Sequence, residues 1–360
     1  MDPILLLAQL LLMAIGLNAI AAAQPNLFDD HLLRLGLGLF ATLFAALMPL
    51  KLPLRWARPV AGGLLLLALL TLIFGHDARP GHDYARRWIS LGGFNLQPSD
   101  FLKLGLVLYM ARFFEDKGQD TRILGLVGMV GVGAALVAME PDLATAGFLL
   151  LFATALMLVI GVPLRRLVAV ALASAFLAMA LYGPYASHFH HVERRLESYQ
   201  PATQTLSQAV RPRGARLNQQ QLAIRALLRG GLIGQGPGGR MPRVPYAYND
   251  MVFAAVGFTL GFVGLVLVFF AYSLIFARAL QAAAALEGAR SILAAGLALL
   301  ILLQAAVHIA VVLGLLPPTG IPLPLVSYGG SAMLTFGLAM GMLHRATREA
   351  GLLRPRKEAA

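Results

Sequence analysis

Tyr246-Ala247-Tyr248-Asn249-Asp250 runs without a break into Met251-Val252-Phe253-Ala254-Ala255-Val256-Gly257-Phe258-Thr259-Leu260-Gly261-Phe262-Val263-Gly264-Leu265-Val266-Leu267-Val268-Phe269-Phe270-Ala271-Tyr272-Ser273-Leu274-Ile275. No charged residue occurs from Met251 to Ile275. A membrane-crossing helix needs about 20 predominantly apolar residues, so this run reads as a transmembrane span with a carboxylate at its mouth. An acid at a membrane boundary is costly unless it is solvated, paired or useful. The plain alternative is that Asn249 or Asp250 caps the helix that follows.

Upstream of Asp250 lies a polar interruption, residues 184–250. It holds nine arginines (194, 195, 211, 213, 216, 225, 229, 240 and 243) against three acids, Glu193, Glu197 and Asp250. A strongly positive loop beside a boundary carboxylate suggests a site for an anionic substrate held close to lipid. Within it, Leu217, Ile224 and Leu228 fall near one helical face, and Arg225 and Arg229 are four residues apart on the neighbouring face. Two such guanidiniums can clamp a diphosphate, or they can snorkel from a surface helix. Arg213 and Arg216 are further candidates for phosphate contact. The string Gly230 to Gly239 lacks the Lys-Ser/Thr of a nucleotide loop and supports only a flexible backbone hugging substrate or membrane. His188, His190 and His191 with Glu193 have the composition of a metal site, at a spacing poorly suited to one.

The rest of the chain is apolar on both sides of this loop. Hydrophobic residues make up 58% and charged residues 13% of the 360, against about 45–50% and 25% in soluble domains. The expected fold is an all-α polytopic integral membrane protein, one domain over 1–360. About ten transmembrane helices are expected, near 4–23, 32–50, 58–75, 98–114, 122–139, 142–161, 164–183, 251–275, 292–316 and 322–344. The large extracytoplasmic loop falls between helices 7 and 8. With no cysteine, disulfides, thiolate metal sites and thiol nucleophiles are excluded. Ala21-Ala22-Ala23 could pass for a signal-peptidase site, but Asp2 in place of a basic n-region points to an uncleaved first helix.

Basic residues in short loops mark the inner face. With the N-terminus cytoplasmic, Lys51, Arg55, Arg58, Arg112, Lys117, Arg122, Arg165, Arg166, Arg278 and Arg290 lie inside. Arg345, Arg348, Arg354, Arg356 and Lys357 of the tail join them, against Arg34, Arg79, Arg86 and Arg87 outside. Both termini are then cytoplasmic. The excess charge is accounted for by membrane orientation and the outer loop, and no nucleic-acid partner is expected.

Four further stretches carry polar groups toward membrane depth. Gln97-Pro98-Ser99-Asp100 opens a helix, and Asp100 with Lys103 forms an i,i+3 pair, either a local anchor or a lysine facing a polar cavity. Glu140-Pro141-Asp142 is a tight external turn with Asp142 as the helix cap. Gln304 and His308 share a face, which in an apolar helix means interhelical hydrogen bonds. Leu316 to Ser331 holds Pro317, Pro318, Pro322 and Pro324 with Gly320, Gly329 and Gly330. Irregular backbone at that depth is tolerated only against protein or a water-filled cavity, and Ser327, Tyr328 and Ser331 offer hydroxyls there.

That last string, Leu-Pro-Pro-Thr-Gly-Ile-Pro-Leu-Pro-Leu-Val-Ser-Tyr-Gly-Gly-Ser, resembles the signature of the SEDS family (RodA, FtsW and SpoVE). Arg87-Trp88 with Leu91-Gly92, Gln97-Pro98-Ser99-Asp100 with Lys103, Pro141 to Ala146, Gln220 to Gly236, and Asn249-Asp250 through Gly264 agree in the family's order. The short termini look more like RodA than FtsW. The resemblance implies a ten-helix glycosyltransferase of the bacterial cytoplasmic membrane. It would polymerise lipid II into peptidoglycan strands on the outer face for cell-wall elongation and shape, with a class B penicillin-binding protein as transpeptidase partner. It implies that Asp250 is the catalytic acid, as general base or as holder of a divalent cation, Mg²⁺ or Mn²⁺. Arg225, Arg229, Arg213, Arg216 and Lys103 are then expected on the diphosphate. Asp100, Asp142, Pro322, Pro324, Ser327, Tyr328 and Ser331 would shape the cavity. The chain departs from the family where Gly257-Phe258-Thr259-Leu260-Gly261 replaces Gly-Glu-Glu-Leu-Gly, and where Asp100 replaces a glutamate. Two other readings stay open from the residues alone: a flippase for lipid-linked sugars, and a non-catalytic scaffold that activates a penicillin-binding protein.

Overall fold

The computed structural model describes residues 1–76, 86–92, 94–118, 123–185, 202–210, 217–239 and 241–352. Arg213, Arg216 and the segment from His188 to Glu193 lie outside the described residues. In chain order come α1 (Pro3–Ala23), a single 3₁₀ turn (Pro25–Leu27), α2 (Phe28–Leu47), α3 (Lys51–Arg55) and α4 (Ala57–Phe74). A two-stranded hairpin follows, β1 (Ile89–Leu91) and β2 (Phe94–Leu96), with Ser90 opposite Asn95. Then come α5 (Pro98–Lys117), α6 (Leu124–Met139), α7 (Leu143–Ile160), α8 (Leu164–Tyr185), α9 (Ala202–Val210), α10 (Gln219–Gly230), α11 (Val252–Ala285), α12 (Gly288–Val312) and α13 (Gly330–Glu349).

The long helices among the described residues, α1, α2, α4 to α8 and α11 to α13, fall on the ten spans expected from the apolar runs. Pro3–Ala23, Pro25–Leu47, Ala57–Phe74, Leu143–Ile160, Val252–Ala285 and Gly288–Val312 are each long and apolar enough to cross a membrane by themselves. The last expected span is corrected at its start. Pro322 and Pro324 offer no backbone N–H, so the helix forms only from Gly330, and the preceding string stays irregular.

The bundle is apolar on its outer surface as well as in its core, and it also buries polar side chains between helices. Leu33, Phe40, Leu47, Phe74 and Phe176 are exposed, whereas Gln9, Thr42, Lys103, Gln304 and His308 are buried. Van der Waals fit and interhelical hydrogen bonds must then hold the helices together, because lipid is as apolar as leucine. One close crossing joins α2 and α13. A Cβ on Gly337 would stand 2.3 Å from the Gly38 carbonyl oxygen, and one on Gly341 2.3 Å from that of Thr42, so only glycine lets these backbones meet. Nearby, Gln9 Nε2 donates to Thr42 Oγ1 at 2.8 Å.

Helix α11 breaks at Gly261, whose φ of 63° and ψ of −158° suit glycine. The string Gly230–Gly239 closes that break. Gln235 and Gly236 donate to the carbonyls of Phe258 and Thr259 at 2.9 and 3.0 Å, and Phe262 and Val263 donate to Gly231 and Leu232 at 2.9 and 3.1 Å. The glycines expected to hug substrate or membrane hug a broken helix instead, supplying partners for backbone groups that lipid cannot satisfy.

At the far end of the bundle, Asp2 caps α1 through Ile4 N at 2.9 Å and binds Arg278 at 2.5 Å. Its own N–H donates to His344 Nδ1 at 3.0 Å. One residue thereby ties α1 to α11 and α13.

Candidate active site

The irregular string before α13 is held from below by polar side chains of neighbouring helices. Gln304 Nε2 donates to the Pro322 carbonyl at 2.9 Å, His308 Nδ1 lies 2.9 Å from the Ile321 carbonyl, and the Tyr272 hydroxyl donates to the Pro324 carbonyl at 2.5 Å. The shared face of Gln304 and His308 read from the sequence is therefore a mount for this corner.

The corner in turn grips the loop that carries Asp250. The Ser327 hydroxyl donates to the Asn249 carbonyl at 2.9 Å while accepting from Leu323 N at 2.8 Å. Tyr328 N donates to the Tyr248 carbonyl at 2.9 Å, and the two tyrosine rings meet edge to face at 5.7 Å. Ser331 does the same for the hairpin, accepting from Gln97 N at 2.8 Å and donating to the Asn95 carbonyl at 3.2 Å. Met251, not Asp250 or Asn249, occupies the cap position of α11.

These supports converge on a cavity of about 490 Å³. Asp250, Asp142 and Asp100 line it together with Arg34, Arg87, Trp88, Asn95, Gln97, Asn218, Gln219, Gln220, Tyr248, Asn249, Thr319, Pro322 and Tyr328. Asp142 caps α7 by accepting from Thr145 N at 3.2 Å and from its hydroxyl at 2.9 Å. Arg87 donates to the Glu140 carbonyl at 3.1 Å and to the Pro141 carbonyl, with a guanidinium nitrogen 3.9 Å from Asp142 Oδ2. Glu140 is wholly buried behind them. Burial, reinforced by the Asp142 charge and opposed by Arg87, pushes its carboxyl up to about 9. It therefore stands neutral at physiological pH.

On α2, Arg34 binds Asp30 Oδ2 through Nε at 2.9 Å and Nη2 at 2.7 Å, and Nη2 also donates to the Tyr328 hydroxyl at 3.0 Å. The Tyr328 hydroxyl donates to the same Asp30 oxygen. Burial first, and then the bond to Asp30, pushes the Tyr328 phenol up to about 12, so it remains a donor.

Lys103 is buried, donating to Asp100 Oδ1 at 2.8 Å and to Gln304 Oε1 at 3.1 Å. Of this pair Asp100 lines the cavity and Lys103 does not. Arg225 and Arg229 do sit four apart on a regular helix, α10, held by an Asn218–Gln221 capping box and by Gln220 Nε2, which donates to the Val311 and Leu316 carbonyls at 2.7 Å each. Arg225 is half-buried and Arg229 exposed, and neither lines the cavity. Its cations, among the described residues, are Arg34 and Arg87. Sequence reading counted both only for orientation, and Arg87 also within a matched string. The overlooked signal for Arg34 is a cation set into an apolar run four residues after an acid.

Comparison with known proteins agrees with this fold. The family model described as cell cycle protein, FtsW/RodA/SpoVE, matches residues 4–351. A probable peptidoglycan glycosyltransferase FtsW of Halorhodospira halophila is 34% identical over 327 residues, covering 86% of this chain and 78% of its own. Stage V sporulation protein E of Bacillus subtilis is 30% identical over 370 residues, covering 96% and 97%. Among solved structures, a chain of a peptidoglycan synthase complex superposes with a TM-score of 0.75 at 26% identity, covering 97% and 98%. RodA of Thermus thermophilus superposes at 0.70 with 25% identity, covering 97% of each chain. One of these structures carries the RodA name, whereas the relatives by sequence carry the FtsW and SpoVE names. The chain belongs to the FtsW/RodA/SpoVE family of multi-pass membrane proteins.

Proposed function

We propose that this chain is a peptidoglycan glycosyltransferase of cell-wall synthesis that polymerises lipid II, with Asp250 as its catalytic carboxylate. The observation that carries the reading is the placement of Asp250 in a polar cavity, in a loop clamped by Ser327 and Tyr328. Rigid support of this kind is what a catalytic group requires.

In the reaction the acceptor sugar's 4-hydroxyl attacks the anomeric carbon of the donor. A new C–O bond forms, the bond to the diphosphate breaks, and the diphosphate leaves with the electron pair. Asp250 accepts the hydroxyl proton as general base. Arginine charge in the cavity offsets what develops on the leaving group. Asn95, Gln97 and Asn218 offer amides for sugar hydroxyls. The apolar tails lie between helices, in lipid.

A divalent cation, Mg²⁺ or Mn²⁺, fits as a substrate-borne partner. Among the described residues no three His, Cys, Asp or Glu side chains converge into a cage, and Mg²⁺ is commonly held by one or two carboxylates plus substrate phosphates. Asp250 would supply the carboxylate, and the ion would add positive charge beside the diphosphate.

The distribution of basic residues supports a bacterial inner-membrane location with both termini cytoplasmic and the cavity facing outward. A class B penicillin-binding protein is the proposed partner, supported by the likeness to a chain of a peptidoglycan synthase complex. The flippase reading is disfavoured because the cavity lies at a helix mouth rather than along a charged path at mid-depth. The test is glycan formation from lipid II by the purified chain in liposomes, with the partner and with Mg²⁺, Mn²⁺ or chelator. Long strands are expected. Lipid II crossing the bilayer without polymer would favour the flippase.

A further inference from the structure

We propose that Arg34 is the residue that receives the substrate diphosphate, exchanging its ion pair with Asp30 for the anion, and that Tyr328 positions it against the Asp250 loop. This deepens the glycosyltransferase reading and rests on it.

The cavity that contains Asp250 has two cations among its described residues, Arg34 and Arg87. Arg87 is committed to the wall. It donates to the Glu140 and Pro141 carbonyls and faces Asp142 at 3.9 Å, so pulling it toward a ligand would strip the α6–α7 turn of its donors. Arg34 is differently placed. Its donors in use are Nε and Nη2, which converge on one oxygen of Asp30 and on the Tyr328 hydroxyl. Nη1 makes no hydrogen bond to a described residue.

The Arg34 side chain is 19% exposed and that of Asp30 41%. Asp30 thus sits where water can solvate it once displaced, and so exposed a pair contributes little. A guanidinium facing a diphosphate gains parallel charge-assisted bonds that one carboxylate oxygen does not give it. Asp30 keeps the cation paired when no substrate is present.

Position is supplied by Tyr328. The Arg34 guanidinium carbon lies 4.3 Å from the centre of its ring, and the Tyr328 backbone holds the Tyr248 carbonyl at 2.9 Å, two residues from Asp250. A diphosphate drawn to Arg34 is therefore registered against the loop that carries the base. Arg225 and Arg229, outside the cavity, have no such register.

The experiment compares wild type with Arg34→Gln, Arg34→Lys and Asp30→Asn in liposomes. It measures polymerisation kinetics with lipid II, and competition by undecaprenyl diphosphate, undecaprenyl monophosphate and inorganic pyrophosphate. Direct binding of undecaprenyl diphosphate to the protein in nanodiscs is read separately. Arg34→Gln is expected to raise KM roughly tenfold or more with a smaller fall in kcat, and to weaken undecaprenyl diphosphate inhibition and binding by a similar factor. Arg34→Lys restores charge but only part of the affinity. Asp30→Asn removes the competing carboxylate and lowers KM. Strong competition by the lipid diphosphate with weak competition by inorganic pyrophosphate identifies the lipid-borne form as the ligand. Monophosphate competing as well as diphosphate, or Arg34→Gln with wild-type KM and binding, overturns the assignment. So does Asp30→Asn failing in the same way as Arg34→Gln, which would make the pair a structural staple. A wild type that binds the diphosphate without polymerising overturns the glycosyltransferase reading and leaves that of Arg34 to the binding measurement.

Discussion

Ser327 and Asn249, 78 positions apart, are joined by a 2.9 Å hydrogen bond from hydroxyl to backbone carbonyl. It couples the proline-rich corner before α13 to the residue preceding Asp250. Ser327→Ala leaves the Asn249 carbonyl and the Leu323 N–H without this partner, at a cost of about 1–3 kcal/mol. Polymerisation by this variant should fall mainly in kcat, because Asp250 is displaced while the cavity walls remain. Thermal unfolding in detergent beside a kinetic assay checks both. An unchanged kcat would mean the corner does not position the acid.

The buried Asp100–Lys103 pair, with Gln304 on the same ammonium, predicts a strong asymmetry. Lys103→Met should destabilise by about 3–5 kcal/mol, since it leaves a buried carboxylate uncompensated. Adding Asp100→Asn should recover much of the loss. Equal stability of single and double variants would contradict the coupling.

Glu140 gives stability a pH dependence with a defined sign. Its folded carboxyl is raised, from 4.5 to about 9, so folding holds a proton that the unfolded chain releases. The stabilisation is fully present below about pH 4.5 and is lost as pH rises through about 9. Glu140→Gln should flatten this slope, and its melting temperature should exceed that of wild type at pH 8.5 more than at pH 5. The same slope in both proteins would place the titration elsewhere.

Gly337 and Gly341 allow α13 to touch α2 backbone to backbone. A β-branched residue such as valine at either position must force the helices apart, with a penalty of about 1–3 kcal/mol or more. Gly125, where an added Cβ meets nothing within 4 Å, should accept alanine with little change. Melting temperatures of the three variants decide it.

The fold was legible because membrane crossing is a one-dimensional property: apolar length sufficed to locate α1 or α11. Asp250 was legible for a related reason, as an acid at the end of a charge-free run. Tertiary convergence was not. Arg34 meets Tyr328 across 294 positions, and no local pattern announces such a meeting. Counting charge in the 184–250 loop gave weight to Arg225 and Arg229, but charge density does not reveal which face of α10 turns to the cavity. The break at Gly261 was hidden as well. Its run is uniformly apolar, and the partners that make it tolerable come from the Gly230–Gly239 string.

The measurement that bears most directly on the central claim is glycan polymerisation by Asp250→Asn, an isosteric change that removes the base and keeps the shape. It should be run with lipid II, divalent cation and a class B penicillin-binding protein, and the melting temperature recorded alongside. A folded variant with polymerisation reduced by about 10²-fold or more, the scale of a lost general base, is the predicted result. A folded variant that polymerises at the wild-type rate would contradict the account and move the catalytic carboxylate away from Asp250.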